Sequence, residues 1–218
     1  MIRTLPRVVP AAPDKPVRPE AHAIQRASRA LAHDPSAWSP RAAHEAVQRY
    51  AELAPHWNDE RGGYRPVPLA DALARGEVPR GTRCVEVGCG TGLLTSLLAD
   101  VWSQVVCLDL TGEMLRRSPA PLRVLADAAR LPLHAGSADA VVLADVPLFA
   151  DEVVRVLAPG GVVVWSNALG VDAPHHVPVE MVRSVLERAD GGAADGGAAW
   201  SAVTSEAGWG LWAVLRRV

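Results

Sequence analysis

Val85-Glu86-Val87-Gly88-Cys89-Gly90-Thr91-Gly92 leaves an apolar run and leads into Leu93, Leu94, Leu97, Leu98 and Val101, a stripe at helical spacing. Glycines at such a junction let the chain turn sharply and let a ligand touch bare backbone, although a tight strand-to-helix connection alone would use them too. Three features sharpen the reading. The nicotinamide fingerprint GxGxxG is not met, because Leu93 stands where its third glycine belongs, and no Lys-Ser/Thr pair follows to make a phosphate loop. Glu86 sits just ahead of the glycines, where a carboxylate facing the loop would repel a diphosphate and attract an ammonium or sulfonium group. Asp109 closes the next apolar run, seventeen residues after Gly92, where a carboxylate accepts both hydroxyls of a ribose. An adenosine without phosphates fits all three.

Outward from this turn, strands are expected at Cys84 to Val87, Gln104 to Asp109, Leu122 to Ala126, Ala138 to Asp145 and Gly161 to Asn167. Helices are expected through the leucine stripe and at Gly112 to Arg117, Ala150 to Leu157 and Pro178 to Ala189. Strands alternating with helices argue a parallel sheet covered on both faces. Trp200 to Glu206 and Leu211 to Arg217 flank Ala207-Gly208-Trp209-Gly210 and read as an antiparallel hairpin added to that sheet, which makes seven strands in all. Asp190 to Ala199 reads as a loose connection. Upstream, seven of the eighteen prolines fall in the first forty residues, so an irregular lead is expected, with one helix over Glu20 to His33. Ser39-Pro40 opens a helix that runs to Leu53, and another runs from about Leu69 to Gly76.

The 218 residues fit one domain with a short appendage, and 49% hydrophobic against 21% charged residues lies far from the disordered regime. A net charge of −2 supplies no general attraction to nucleic acid or anionic membranes. No apolar stretch of membrane-spanning length or secretory leader is read, and a cytoplasmic location is expected. Cys84, Cys89 and Cys107 lack paired spacing for zinc or a disulfide framework, so reduced thiols and no metal are expected.

With these residues on the page, the chain resembles the class I S-adenosylmethionine-dependent methyltransferases, in the compact small-molecule form related to quinone-biosynthesis enzymes. The resemblance runs from about Tyr50 to Val218. It implies a Rossmann-like, doubly wound α/β fold and S-adenosylmethionine as cofactor. It also implies that Glu86, Gly88, Gly90 and Gly92 cradle the methionine part, that Asp109 holds the ribose, and that Leu110 and Met114 pack on the adenine. Asp127-Ala128-Ala129-Arg130-Leu131-Pro132 is similar to the family's adenine-edge element, with Asp127 and Ala128 as the contacts. Ser137 to Val141 resembles the start of its fourth strand, and Arg155 to Gly161 the turn before its fifth. Tyr50 resembles loosely an aromatic that closes over the cofactor, or else packs between helices. The organisation implied is a proline-rich extension at 1–40, a helical lid at 41–80 and the cofactor-binding core at 81–218.

The acceptor side is not inherited from the resemblance. Ligands of open parallel sheets sit beyond the carboxyl ends of the strands, which points to Asp145, to Asn167 and to the stretch ending in Pro174-His175-His176. His175 or His176 is the candidate to contact the acceptor or take its proton, against a capping or solvated role for each. Trp57, Arg61 and Tyr64 are candidates for a flat or anionic acceptor, with helix packing and surface pairing as the other account of them. Asp145 meets either a ligand or the backbone at the strand end. The other tryptophans, Trp102, Trp165, Trp200, Trp209 and Trp212, are expected to be structural. Two functions stay open: methyl transfer to a small-molecule O or N nucleophile, and non-catalytic binding of the cofactor or its demethylated product as a regulator or partner subunit. A nicotinamide oxidoreductase lacks both its glycine and a Tyr-x-x-x-Lys pair, since Lys15 is the only lysine.

Overall fold

The computed structural model describes residues 1–17, 21–191 and 199–218. The strands are β1 (Ile2–Thr4), β2 (Gly81–Val87), β3 (Trp102–Asp109), β4 (Arg123–Leu125), β5 (Ala138–Ala144), β6 (Leu157–Asn167), β7 (Trp200–Ala207) and β8 (Gly210–Arg217). They form one sheet in the order β1-β7-β8-β6-β5-β2-β3-β4. β8 runs antiparallel to both β6 and β7, and every other neighbouring pair is parallel. The fold is the expected doubly wound α/β sheet with its C-terminal hairpin.

An eighth strand comes from the proline-rich lead, where an irregular segment was expected. Ile2, Arg3 and Thr4 pair with Ala202, Val203 and Thr204 before Pro6 removes the next donor. An edge strand leaves a row of unpaired backbone groups, and the lead covers them. It continues as a strap: Gly208 N–H donates to the Val9 carbonyl, and Trp209 Nε1 donates to that of Ala12 at 2.5 Å.

The helices are α1 (Ala21–His33), α2 (Pro40–Leu53), α3 (Trp57–Arg61), α4 (Pro66–Arg75), α5 (Thr95–Ala99), α6 (Gly112–Leu115), α7 (Ala150–Val156) and α8 (Val179–Ala189). Ser39 caps α2 by accepting from Ala42 N–H, with Pro40 in the first turn. The leucine stripe yields only the short α5, because turns occupy the residues from Gly92 to Leu94. Likewise β6 begins at Leu157 rather than Gly161, absorbing the glycine pair through a register shift opposite Ala138 and Ala140. Glu20 and residues 192–198 of the expected loose connection lie outside the described residues.

Alternation along each central strand builds two cores, one on each face. Val85, Val141, Val163, Trp165 and Leu215 join one, and Cys84, Val142, Val164, Trp212 and Val214 join the other. The tryptophans at 102, 165, 200 and 212 are fully buried. After β2 the chain steps outward through β3 and β4, then returns to place β5 on the other side of β2. This reversal opens a crevice at the carboxyl end of β2, where open parallel sheets hold ligands.

Candidate functional site

That crevice is a cleft of about 790 Å3, part of it open to solvent, floored by Gly88, Gly90 and the ends of β2 and β3. Gly88, Gly90 and Gly92 all take positive φ, at 68°, 57° and 76°, a region that L side chains rarely adopt. A Cβ on Gly88 would sit 2.2 Å from Val146 Cγ1, and one on Gly92 would sit 2.5 Å from Ser118 Oγ. On Gly90 it would meet nothing closer than Met114 Sδ at 3.8 Å and Trp57 Nε1 at 3.9 Å, so it would project into the cleft itself. Gly92 therefore serves the packing of the turn and does not line the cleft, whereas Gly88 and Gly90 do.

The loop spends its donors internally. Gly88 and Cys89 N–H both donate to the Leu108 carbonyl, Gly92 N–H donates to that of Cys89, and Gly90 N–H donates to Asp109 Oδ2 at 2.8 Å. A diphosphate bound here would find those amides already occupied.

The two carboxylates part company. Asp109 lines the cleft, with Thr111 N–H donating to Oδ1 at 2.7 Å as Gly90 donates to Oδ2. Each oxygen keeps a further lone pair for a hydroxyl. Burial raises its pKa, and the two backbone donors oppose that shift. Glu86 corrects the expectation of a carboxylate facing the loop. It is 3% exposed, is absent from the cleft lining and turns to the opposite face, where Thr95 Oγ1 donates to Oε2 at 2.6 Å. Burial pushes its pKa up to about 8, so at neutral pH it is mostly uncharged and offers no anion to a cationic ligand.

Leu110, Met114, Ala126, Asp127, Ala128 and Leu131 form an apolar slot beside Asp109. Two aromatic side chains to which the sequence reading gave no role close it. Trp38 Nε1 donates to Asp127 Oδ2 at 2.8 Å, and its ring meets Phe149 edge-on at 5.6 Å. No local pattern marks Trp38 as a wall of the site, because its partners lie about ninety and more residues further along.

Across the cleft, Tyr50 Oη lies 2.9 Å from His175 Nε2, and Ser28 Oγ of α1 lies 2.8 Å from Nδ1. Burial, with Arg65 and Arg49 nearby, lowers the His175 pKa to about 4, so the ring is neutral, accepting at one nitrogen and donating from the other. Burial also pushes the Tyr50 phenol up to about 12. His176 does not join this group. Its Nδ1 lies 3.1 Å from Asn167 Oδ1, both side chains are buried, and neither lines the cleft, which removes direct contact there for His176 and Asn167. Of the two adjacent histidines only His175 reaches the cavity.

Asp145 is one of two non-glycine residues with positive φ among those described, at 55°. Arg65 Nη1 donates to its Oδ2 at 2.9 Å, and Asn167 and the Ala168 N–H donate as well, which holds the unfavourable backbone in place. A second cavity of about 560 Å3, partly open to solvent, adjoins the first across Tyr50, Trp57, Arg65 and Asp145. Arg61 and Tyr64 line this second cavity rather than the cleft, while Trp57 lines both. Arg61 stacks over the Trp57 ring at 4.3 Å and Arg65 at 5.2 Å. Among the described residues no three His, Cys, Asp or Glu side chains are placed to hold a metal.

These features fit an adenosine-bearing thioether: a bare-backbone cradle at Gly90, a carboxylate with free lone pairs, an apolar slot, and loop amides that are already taken. Residues 85–165 match the family described as Methyltransferase domain. A trans-aconitate 2-methyltransferase of Azoarcus sp. is 33% identical over 56% of this chain and 54% of its own length. A ubiquinone biosynthesis O-methyltransferase of Xanthomonas axonopodis is 37% identical over 32% of this chain and 31% of its own. The chain thus spans about half, or less, of the length of these curated relatives. A solved SAM-dependent methyltransferase of Thermotoga maritima shares the fold, with a TM-score of 0.58, 13% identity, and 77% of this chain and 97% of that one covered. By these matches the chain is similar to S-adenosylmethionine-dependent methyltransferases, in sequence over residues 85–165 and in fold over most of its length.

Proposed function

We propose that this protein binds S-adenosylmethionine in the cleft and transfers its methyl group to an oxygen nucleophile of a small molecule held in the adjoining cavity. The observation that carries this reading is the pairing of a cleft suited to a nucleoside without phosphates with a second cavity opening across Tyr50 and Arg65. Two of the matched relatives are named for trans-aconitate and for ubiquinone biosynthesis, which supports a small-molecule acceptor.

When bound, the cofactor supplies a methyl group on a sulfonium, a leaving group that is already activated. The chain's own work is then to position the acceptor, exclude water and receive a proton. Asp109 holds the ribose, Gly88 and Gly90 cradle the methionine portion, and Leu110, Met114, Asp127 and Ala128 enclose the adenine. Tyr50 Oη faces the acceptor, donates its own hydrogen to His175 Nε2 and leaves its oxygen to accept the acceptor's proton. Ser28 fixes the ring orientation from Nδ1.

The weak basicity of this relay supports an oxygen acceptor over an aliphatic ammonium one. A base with a pKa near 4 cannot draw a proton from an ammonium group of pKa about 10, but it suffices for the far more acidic oxonium formed as an oxygen is methylated. Oxygen is therefore favoured over an amine. Residues 1–40 and 41–80 together act as the cover of the site in this reading, and three buried, unpaired cysteines accord with a cytoplasmic setting.

Calorimetry with S-adenosylmethionine and NADH tests the cofactor, and binding of NADH in preference to S-adenosylmethionine refutes the reading. Labelled cofactor incubated with a metabolite extract tests catalysis. Tight binding with no labelled product would favour a non-catalytic binding protein instead. In the catalytic case Tyr50→Phe lowers kcat by roughly a hundredfold or more while leaving cofactor affinity in place.

A further inference from the structure

Among the described residues, the second cavity carries more positive charge than its surroundings neutralise. Arg49, Arg61 and Arg65 line it against a single lining carboxylate, Asp145. Arg65 is committed to Asp145 at 2.9 Å and to the Ala144 carbonyl at 3.0 Å. Arg61 is 7% exposed, contacts Glu60 at 2.6 Å and sits over the Trp57 ring at 4.3 Å. Arg49 differs: it is exposed, and among the described residues no carboxylate pairs with it. Its charge nonetheless reaches inward, acting on both Tyr50 and His175. One guanidinium is thus left over beside the proton relay, in a cavity whose walls also include the apolar Ile24, Leu53, Leu169 and Pro174.

We propose that the methyl acceptor is a small organic acid, whose carboxylate is anchored by Arg49 in the second cavity while its nucleophilic oxygen lies against Tyr50 at the boundary with the cleft. The proposal rests on the methyl-transfer reading and deepens it. A guanidinium presents a planar fork that matches a carboxylate, and the surplus of about one positive charge matches a single carboxylate better than a phosphate dianion. The apolar walls accept the carbon skeleton, and the Trp57 ring holds Arg61 and Arg65 within cation–π distance. Arg49 is a specificity-determining residue in this account and has no part in the proton transfer.

The test uses the full chain saturated with S-adenosylhomocysteine, titrated calorimetrically with matched acid and amide pairs: 4-hydroxybenzoate and 4-hydroxybenzamide, lactate and lactamide, glycolate and glycolamide. At least one acid should bind ten times more tightly than its amide. In Arg49→Gln, a change at an exposed position, that ratio should fall to within about twofold, with S-adenosylhomocysteine affinity unchanged. Raising the salt concentration should narrow the wild-type ratio as well, because the anchor is partly solvated. Binding of S-adenosylhomocysteine without any acid binding, or with acid and amide bound equally, overturns the organic-acid proposal alone. So does acid preference that survives Arg49→Gln. Failure of S-adenosylhomocysteine itself to bind overturns the methyl-transfer reading and the acceptor assignment with it.

Discussion

Asp109 illustrates how much one side chain decides at the residue scale. Its two oxygens hold the Gly90 and Thr111 amides, so it shapes the loop while presenting lone pairs to the cleft. Asp109→Ala removes a charged acceptor and strands those donors, and hydrogen bonds to charged groups are worth about 1.5–3 kcal/mol each. Calorimetry should therefore show S-adenosylhomocysteine affinity falling by roughly fiftyfold or more, and near-normal binding would dismiss the ribose assignment. His175 makes a second prediction, with its sign set by burial. The folded chain keeps this ring neutral down to a pKa of about 4, whereas the unfolded chain takes up a proton near 6.5. Stability present above pH 6.5 is accordingly lost as pH falls through about 4, by on the order of 3 kcal/mol. Urea unfolding at pH 7 and pH 4 should show that loss reduced in His175→Gln, which has no proton to gain. His176, lowered in the same direction, leaves the variant with a residual slope.

At the scale of elements, α4 is tied to the sheet by polar contacts as well as by packing. Trp212 Nε1, fully buried on β8, donates to Asp71 Oδ2 at 2.7 Å, and Arg75 grips the same carboxylate one helical turn later, also at 2.7 Å. Asp71→Ala leaves a buried indole donor without its acceptor, a loss of about 1–3 kcal/mol. Chemical denaturation should show at least that much destabilisation, and an unchanged midpoint would mean that the contact contributes nothing. Elements of this kind were legible in the sequence wherever period decides them. The five central strands, the hairpin and the Ser39-Pro40 helix start all follow from alternation, turn residues and capping. The leucine stripe overstated its helix, because apolar spacing reports which residues are buried and the glycine turn consumed the first of them. β1 was invisible, since three residues shortly before a proline become a strand only when an edge stands ready to pair with them.

Across the whole molecule, the described residues among the first forty are the least predictable part, and Trp38 from that segment lines the cleft. They strap the β7 edge, supply Ser28 to His175 and bring Trp38 onto Asp127. Trp38→Ala removes a donor and an aromatic wall together. It should weaken S-adenosylhomocysteine binding by roughly tenfold, on the order of 1 kcal/mol or more, with the fold intact by circular dichroism. An unchanged affinity would confine Trp38 to packing. No helix among the described residues is long and apolar enough to cross a membrane.

What the sequence determined by itself was local: the glycine cradle, the acid seventeen residues beyond it, and a sheet covered on both faces. Each depends on neighbours a few residues apart, and so on chain stereochemistry. Which carboxylate lines the cleft was decided only in three dimensions. In a strand buried on both faces hydropathy does not mark the ligand side, and Glu86 turned away where Asp109 did not. The same holds for the boundary between the cleft and the second cavity. Tyr50 with His175 and Arg65 with Asp145 are pairs separated by 125 and 80 residues, brought together by packing across the crevice and by no pattern in the chain.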